Sequence, residues 1–258
     1  IHIREGAMGT FDLNVEGPVR KLLDLVDRKP VFISDKIGMD LDRLTGTARV
    51  EAKLVLPLVK SPPKDSVTFD VTAYIKAGGV QNLLGGEGLR NADLTLSVNG
   101  DELTTSGFGD INGVPMELYW REDFAKGLAD PTADTSLLVM SGSPNEGDIA
   151  ALGLDVSDYL KGYTRTEATF LGRNLKFRVG YFSSDTSDAQ LMVSPVGWVK
   201  PPSSPASVNG TIDLSEGKVK LAPLIVTGED IDLTANFEFG ADGQGSYSGK
   251  VTATRLGK

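Results

Sequence analysis

Apolar and polar residues alternate one for one along several stretches of this chain. A backbone that alternates in this way reads as a β-strand with one greasy face and one wet face. In residues 47–58 the even positions are Ala48, Val50, Ala52, Leu54, Leu56 and Leu58, and the odd ones begin Thr47, Arg49, Glu51, Lys53. Val67, Phe69, Val71, Ala73 and Ile75 alternate with Ser66, Thr68, Asp70 and Thr72. Ala92, Leu94, Leu96 and Val98 repeat the pattern, as do Leu175, Phe177, Val179 and Tyr181, and again Ile231, Leu233, Ala235, Phe237 and Phe239. Turn punctuation stands between these runs, at "VNGDEL" (98–103), "SEGK" (215–218) and "GADGQG" (240–245). Strands this closely spaced imply antiparallel pairing with one apolar face.

Helices are few. "GPVRKLLDLVD" (17–27) carries Val19, Leu22, Leu23 and Val26 on one stripe, with Pro18 at the first helical position of a helix over 18–27. "SPNEGDIAALG" (143–153) predicts a second short helix over 144–152, capped by Ser143 and ended by Gly153. Each precedes a similar passage. Asp42, Leu44, Gly46, Arg49, Glu51 and Ala52 recur in the same spacing as Asp158, Leu160, Gly162, Arg165, Glu167 and Ala168. A repeated unit of this kind buries its apolar face by stacking on its neighbour. The expected organisation is therefore two related repeats, 1–140 and 141–258, sharing one continuous sheet.

Composition narrows the function. The net charge is −9, with no cluster of Lys and Arg, which disfavours a nucleic-acid surface. There is no cysteine, hence no disulfide or thiolate metal site. No apolar run approaches the roughly 20 residues of a bilayer span, and the chain opens on Ile1 without a leader pattern. It is expected to be a mature piece or fragment of a longer protein, with any anchor outside it.

Residues that carry chemistry are sparse. The single histidine is His2, so a Ser-His-Asp or multi-histidine site is not expected. "GFGDING" (107–113) lacks the spacing of a phosphate cradle and reads as a β-turn; "NGT" (209–211) also reads as a turn. The carboxylates Asp40 with Asp42, Asp230 with Asp232, Glu229 with Asp230, and Glu117 with Glu122 could be imagined as glycosidase pairs. Their place on the polar parity makes solvated strand faces the expectation. Trp120 and Trp198 read as core or rim residues rather than sugar platforms. Arg49 and Arg165 each precede a glutamate by two residues, which suggests same-face ion pairs. No enzyme, metal or cofactor is expected.

"FDLNVEGPVRKLLDLVDRKP" followed by "LTGTARVEAKLVLPL" resembles the AsmA-like envelope proteins, specifically the large YhdP-like branch. The carrying residues are a strand entering a Gly-Pro short helix, then Gly46, Leu54, Leu56, Pro57 and Leu58. "LRNADLTLSVNGDELTTSGFGDINGVPMEL" (89–118), "IAALGLDV" (149–156), "GWVKPP" (197–202) and "TATRLGK" (252–258) extend the likeness over nearly the whole chain. The resemblance implies an elongated, curved, antiparallel β-groove of repeats. It further implies a periplasmic location in a protein anchored to the inner membrane, and a role in moving phospholipid toward the outer membrane without an active site.

Two functions then compete with a weaker third. Apolar surface is worth roughly 25 cal/mol per Å² on burial, so the greasy strand faces must be covered. As an open groove they would be covered by phospholipid acyl chains. The lining would be Val50, Leu54, Leu56, Leu58, Val67, Phe69, Val71, Leu94, Leu96, Val98, Phe170, Phe177, Val179, Ile231, Leu233, Phe237 and Phe239. Its partners would be lipid, neighbouring repeats of the same full-length chain, and a membrane touched by other parts of the protein, with no nucleic acid. With no polar anchor in that lining, chains would slide along it. As a closed β-sandwich the same faces would pack only on each other, giving a structural or interaction module of the envelope. A carbohydrate-active sandwich needs facing carboxylates in a cleft, which the parity argument disfavours.

Overall fold

The computed structural model describes residues 7–26, 41–59, 63, 66–81, 88–174, 176–194, 197–214, 219–239 and 252–256. The turns expected at "SEGK" and "GADGQG" lie outside them, as do His2 and Asp40. The fold is mainly β: one large antiparallel sheet that does not close, with few short helices.

The strands are β1 (Met8–Pro18), β2 (Leu44–Pro57), β3 (Thr68–Gln81), β4 (Gly88–Asn99), β5 (Glu102–Ile111), β6 (Val114–Asp123), β7 (Ser136–Gly142), β8 (Leu160–Lys161), β9 (Arg165–Arg173), β10 (Lys176–Asp185), β11 (Gln190–Val193), β12 (Trp198–Lys200), β13 (Ala206–Asp213), β14 (Val219–Gly228), β15 (Ile231–Phe239) and β16 (Thr252–Leu256). Thirteen form a sheet in the order β1-β2-β3-β4-β5-β6-β7-β9-β10-β13-β14-β15-β16; β12-β11-β8 form a second, small sheet. The chain divides into two compact units. Unit 1 is Ile1–Asp110, Leu118–Leu137 and Arg173–Leu175; unit 2 is Ile111–Glu117, Leu138–Gly172 and Lys176–Lys258.

In unit 1, helix α1 (Val19–Val26) follows β1 directly. It starts one residue later than Pro18, which instead ends β1 opposite Thr47. Proline is tolerated there because β1 is an edge strand, whose outer N–H groups have no ladder partner to lose. A second helix, α2 (Phe124–Ala129), escaped the sequence reading because it is only six residues long. Its signal is Asp123, whose Oδ1 accepts from the Lys126 N–H at 2.8 Å as an N-cap.

In unit 2, helix α3 covers Glu146–Ala151. Its cap is Asn145, not Ser143: Asn145 Oδ1 accepts from Gly147 N at 2.8 Å and Asp148 N at 3.0 Å, while Asp148 accepts from Asn145 N. That reciprocal pair satisfies more orphan donors than a serine two residues upstream could reach. Gly153 does follow the helix end, at φ +99°. "NGT" is not a turn; it lies inside β13, with an irregularity between Gly210 and Ile212. "GFGDING" does end in a turn, Asn112–Gly113, where both residues have positive φ as a two-residue hairpin requires.

The doubled passage uses its glycine in the same backbone state twice. Gly46 has φ +101° and Gly162 has φ +103°. At Gly46 the β2–β3 register slips between Thr45 and Thr47, so the glycine serves a bulge within one strand. At Gly162 the chain leaves β8 in the small sheet to enter β9 in the large one, and its N–H donates to Glu146 at 2.8 Å. The arginines diverge. Arg49 pairs with Glu51 at 2.5 Å as expected, whereas Arg165 reaches Asp188 at 2.8 Å and Asp185 at 3.5 Å rather than Glu167. Asp185 at the end of β10 and Asp188 just beyond it outcompete the i+2 partner.

A Cβ at position 46 would sit 2.8 Å from Gly78 Cα and 2.9 Å from the Ala77 carbonyl oxygen, while one at 162 would meet nothing closer than 3.5 Å. Gly46→Ala is therefore expected to cost about 3 kcal/mol and Gly162→Ala about 1–2 kcal/mol in urea unfolding. Equal losses, or the reverse order, would contradict the account of the bulge.

Candidate functional site

Cross-strand register turns the alternation into a surface. In unit 1 Phe11 lies opposite Leu54 and Leu54 opposite Phe69. The next rows are Leu13–Ala52–Val71–Val98, Val15–Val50–Ala73–Leu96 and Gly17–Ala48–Ile75–Leu94. Directly opposed residues share a face, so β1 to β4 present a continuous apolar ladder. The other face carries Asp12–Lys53–Asp70 and Glu16–Arg49–Tyr74. A shallow depression of about 400 Å³ beside Asp12, Asn14, Glu51, Lys53 and Asp70 has both signs of charge and no enclosing wall.

The ladder is covered at one end and open at the other. Val98 and Leu103 are buried, packed by Leu23 of α1, Phe124 of α2, Trp120, Phe69, Val71 and Leu96. Toward β1 the cover runs out: Phe11 is 44% and Leu13 50% exposed, while Leu54, Leu56 and Leu58 are half-buried. Phe11, Leu13 and Val15 did not figure among the expected lining residues. Their signal was the alternation in "FDLNVEG" (11–17), overshadowed by the Gly-Pro that follows.

Of the expected lining, Val50, Val67, Phe69, Val71, Leu94 and Leu96 are half-buried in unit 1. In unit 2, Phe170 is buried and meets Phe177 edge-on, ring centroids 6.2 Å apart. Phe177, Val179 and Phe237 are half-buried, and the Phe239 side chain lies outside the described residues. Ile231, with no exposed surface, and Leu233 belong to a sealed core with Leu160, Ala189, Leu191, Trp198, Ala206, Val226 and Ala235. Three of these come from β8, β11 and β12, so the small sheet lies over the apolar face of β13–β15.

The charged candidates do not assemble. Asp42 pairs with Arg20 at 2.5 Å. Asp230 accepts from Trp198 Nε1 at 3.2 Å, Glu229 is exposed and Asp232 half-buried. Glu117 is exposed, but Glu122 is not on a solvated face: it is 1% exposed and accepts from the Thr135 and Ser136 hydroxyls. It shares the inward parity of Val114, Met116 and Leu118 on β6, and the two hydroxyls replace its water shell. No group of three or more His, Cys, Asp or Glu side chains able to hold a metal ion occurs among the described residues. Among them, no helix is long and apolar enough to cross a membrane.

No family model, no curated protein and no solved structure matches this chain.

Three surface carboxylates, two in unit 1 and one in unit 2, are favoured in their charged form by nearby donors. The Lys76 ammonium, followed by the Ala77 N–H, lowers the Asp93 pKa. The Lys126 N–H, with Arg121 after it, lowers that of Asp123, and the Gly162 N–H lowers that of Glu146. A carboxyl group with a folded pKa below its unfolded value contributes stability above the unfolded pKa and loses it as pH falls through the folded one. The midpoint of thermal unfolding should therefore stay level from about pH 7 to 5 and fall progressively below about pH 4. A midpoint that rises between pH 4 and 2.5 would contradict this.

Proposed function

We propose that this chain is a lipid-handling segment in which the apolar face of β1–β4 carries or shields phospholipid acyl chains. The single observation behind this reading is the aligned ladder whose Phe11–Leu13 end is left open beside half-buried leucines on β2. A ladder from Val50 to Leu56 spans roughly 20 Å at a strand's rise, room for a long alkyl chain. Each methylene withdrawn from water there contributes about 0.8 kcal/mol. The resemblance to the YhdP-like envelope proteins points the same way. In that reading the chain is periplasmic, part of a protein anchored in the inner membrane, and its cargo passes toward the outer membrane. No catalytic group is assigned.

A second reading, a closed structural or interaction module, draws on unit 2. There Ile231 and Leu233 are buried in one core with residues of the small sheet, as in a sandwich. The proposal therefore places lipid contact on unit 1.

Native mass spectrometry after purification from bacterial envelopes tests it. The wild-type chain should retain phospholipid. Leu54→Asp combined with Leu56→Asp should lose at least about tenfold of that bound fraction by placing charge in the ladder. Arg49→Ala, on the opposite face, should retain it. Absence of lipid from folded wild type would favour the sealed module, and equal retention by all three would place the lipid away from the ladder.

A further inference from the structure

β1 is one edge of the large sheet, and no described strand pairs with its outer side. One hydrogen bond fixes which backbone groups face outward. The Leu58 N–H donates to the Ala7 carbonyl at 2.8 Å, continuing the register that sets Met8 opposite Pro57. Bonded and non-bonded pairs alternate along an antiparallel ladder. The odd residues of β1 therefore turn their N–H and C=O groups to β2, and the even ones, Thr10, Asp12, Asn14 and Glu16, turn theirs outward. Pro18 falls on the outward set, where its missing N–H removes no ladder bond.

An edge of this kind is commonly guarded by lysine, an internal proline or a bulge. β1 has none of these. Its register with β2 is unbroken from Met8 to Pro18, it contains no Lys or Arg, and Thr10 to Asn14 are all exposed. Such an edge is a template for another strand, and its two charges, Asp12 and Glu16, decide which one. When a second β1 is laid antiparallel with Leu13 on the two-fold axis, the whole strand is used. The outward groups of Asp12 then meet those of Asn14, and Thr10 meets Glu16. On the apolar face Leu13 meets Leu13 and Phe11 meets Val15. No like charges are opposed. A slip of two residues one way sets Asp12 against Asp12, and the other way sets it against Glu16; both are repulsive. A slip of one residue matches outward groups to inward ones and forfeits the bonds. Longer slips leave the ends of both strands unpaired.

We propose that two copies of this chain pair antiparallel through β1, with Leu13 on the two-fold axis, so that their apolar ladders join across the seam. The contact goes beyond the lipid-handling reading and does not depend on it, because the register follows from backbone direction and charge. It is isologous and stops at a dimer.

The chain has no cysteine, so single cysteines report the register. Leu13 would face its own copy in a non-bonded pair, with Cα atoms roughly 4.5 Å apart, within the range a disulfide spans. Two copies of residue 11, or of residue 15, would stand about 14 Å apart. Under mild oxidation Leu13→Cys should cross-link into a dimer, while Phe11→Cys and Val15→Cys should do so only when mixed with each other. Sedimentation of the uncross-linked wild type up to about 300 µM should show a monomer–dimer equilibrium. Asn14→Asp, which sets a carboxylate against Asp12 at two symmetric places, should weaken the dimer about tenfold, and Asn14→Lys should tighten it. Thermal unfolding establishes that each variant is folded. A wild type that stays monomeric, equal cross-linking at 11, 13 and 15, or no response to either Asn14 variant overturns the proposal. Growth beyond a dimer, as pairing of β1 with the opposite edge β16 would give, overturns it as well. None of these results bears on lipid retention, so the two readings fail separately.

Discussion

The structure depends on one constraint, the register between neighbouring strands. A strand shifted by a single residue would turn its whole apolar set to the other side of the sheet. In β1 to β4 no such slip occurs across the central rows: each apolar residue meets another, from Leu13 through Ala52 and Val71 to Val98. The polar parity is aligned by the same stroke, which brings Lys53 between Asp12 and Asp70. Within β1–β4 the irregularities fall where a glycine can absorb them, at Gly46 on β2 and around Gly78 on β3. The left-handed backbone at Gly46 lets the strand kink without exchanging its faces.

Once the register is set, each unit must cover its greasy side, and they do so with different means. Unit 2 uses a second sheet. Its closure brings Lys200 inside, where the ammonium donates to the carbonyls of Ser187, Ala189 and Pro201 at 2.8–3.0 Å. A charge so buried is tolerable only because every proton is taken up. Unit 1 uses a short helix, α1, together with Trp120 and Phe124, and these do not extend to Phe11 and Leu13. The uncovered remainder is the strip of Phe11 and Leu13 beside the half-buried leucines of β2.

Much of this was legible from alternation alone. The strand faces, the antiparallel pairing and the Asn-Gly turn follow from local rules that the sequence states openly. Helix boundaries were harder. Pro18 satisfies both a helix start and an edge-strand end, and only the pairing with Thr47 decides between them. Asn145 displaced Ser143 because a reciprocal cap needs Asp148 at the right spacing. Burial was not legible. Ile231 and Leu54 occupy equivalent parities, yet one is sealed and the other half-exposed, because β8, β11 and β12 lie over only one of them. Glu122 misled for the same reason: a carboxylate on the inward parity is stable only with the Thr135 and Ser136 hydroxyls, which come from beyond α2.

The claim that one face of β1–β4 holds hydrocarbon makes a prediction with the periodicity of a strand. A photoreactive side chain introduced singly at positions 50 to 57 of β2, and irradiated with phospholipid present, reports which positions touch lipid. The account predicts lipid adducts at 50, 52, 54 and 56 and none at 51, 53, 55 and 57. Adducts at neither set, or at both alike, would contradict it.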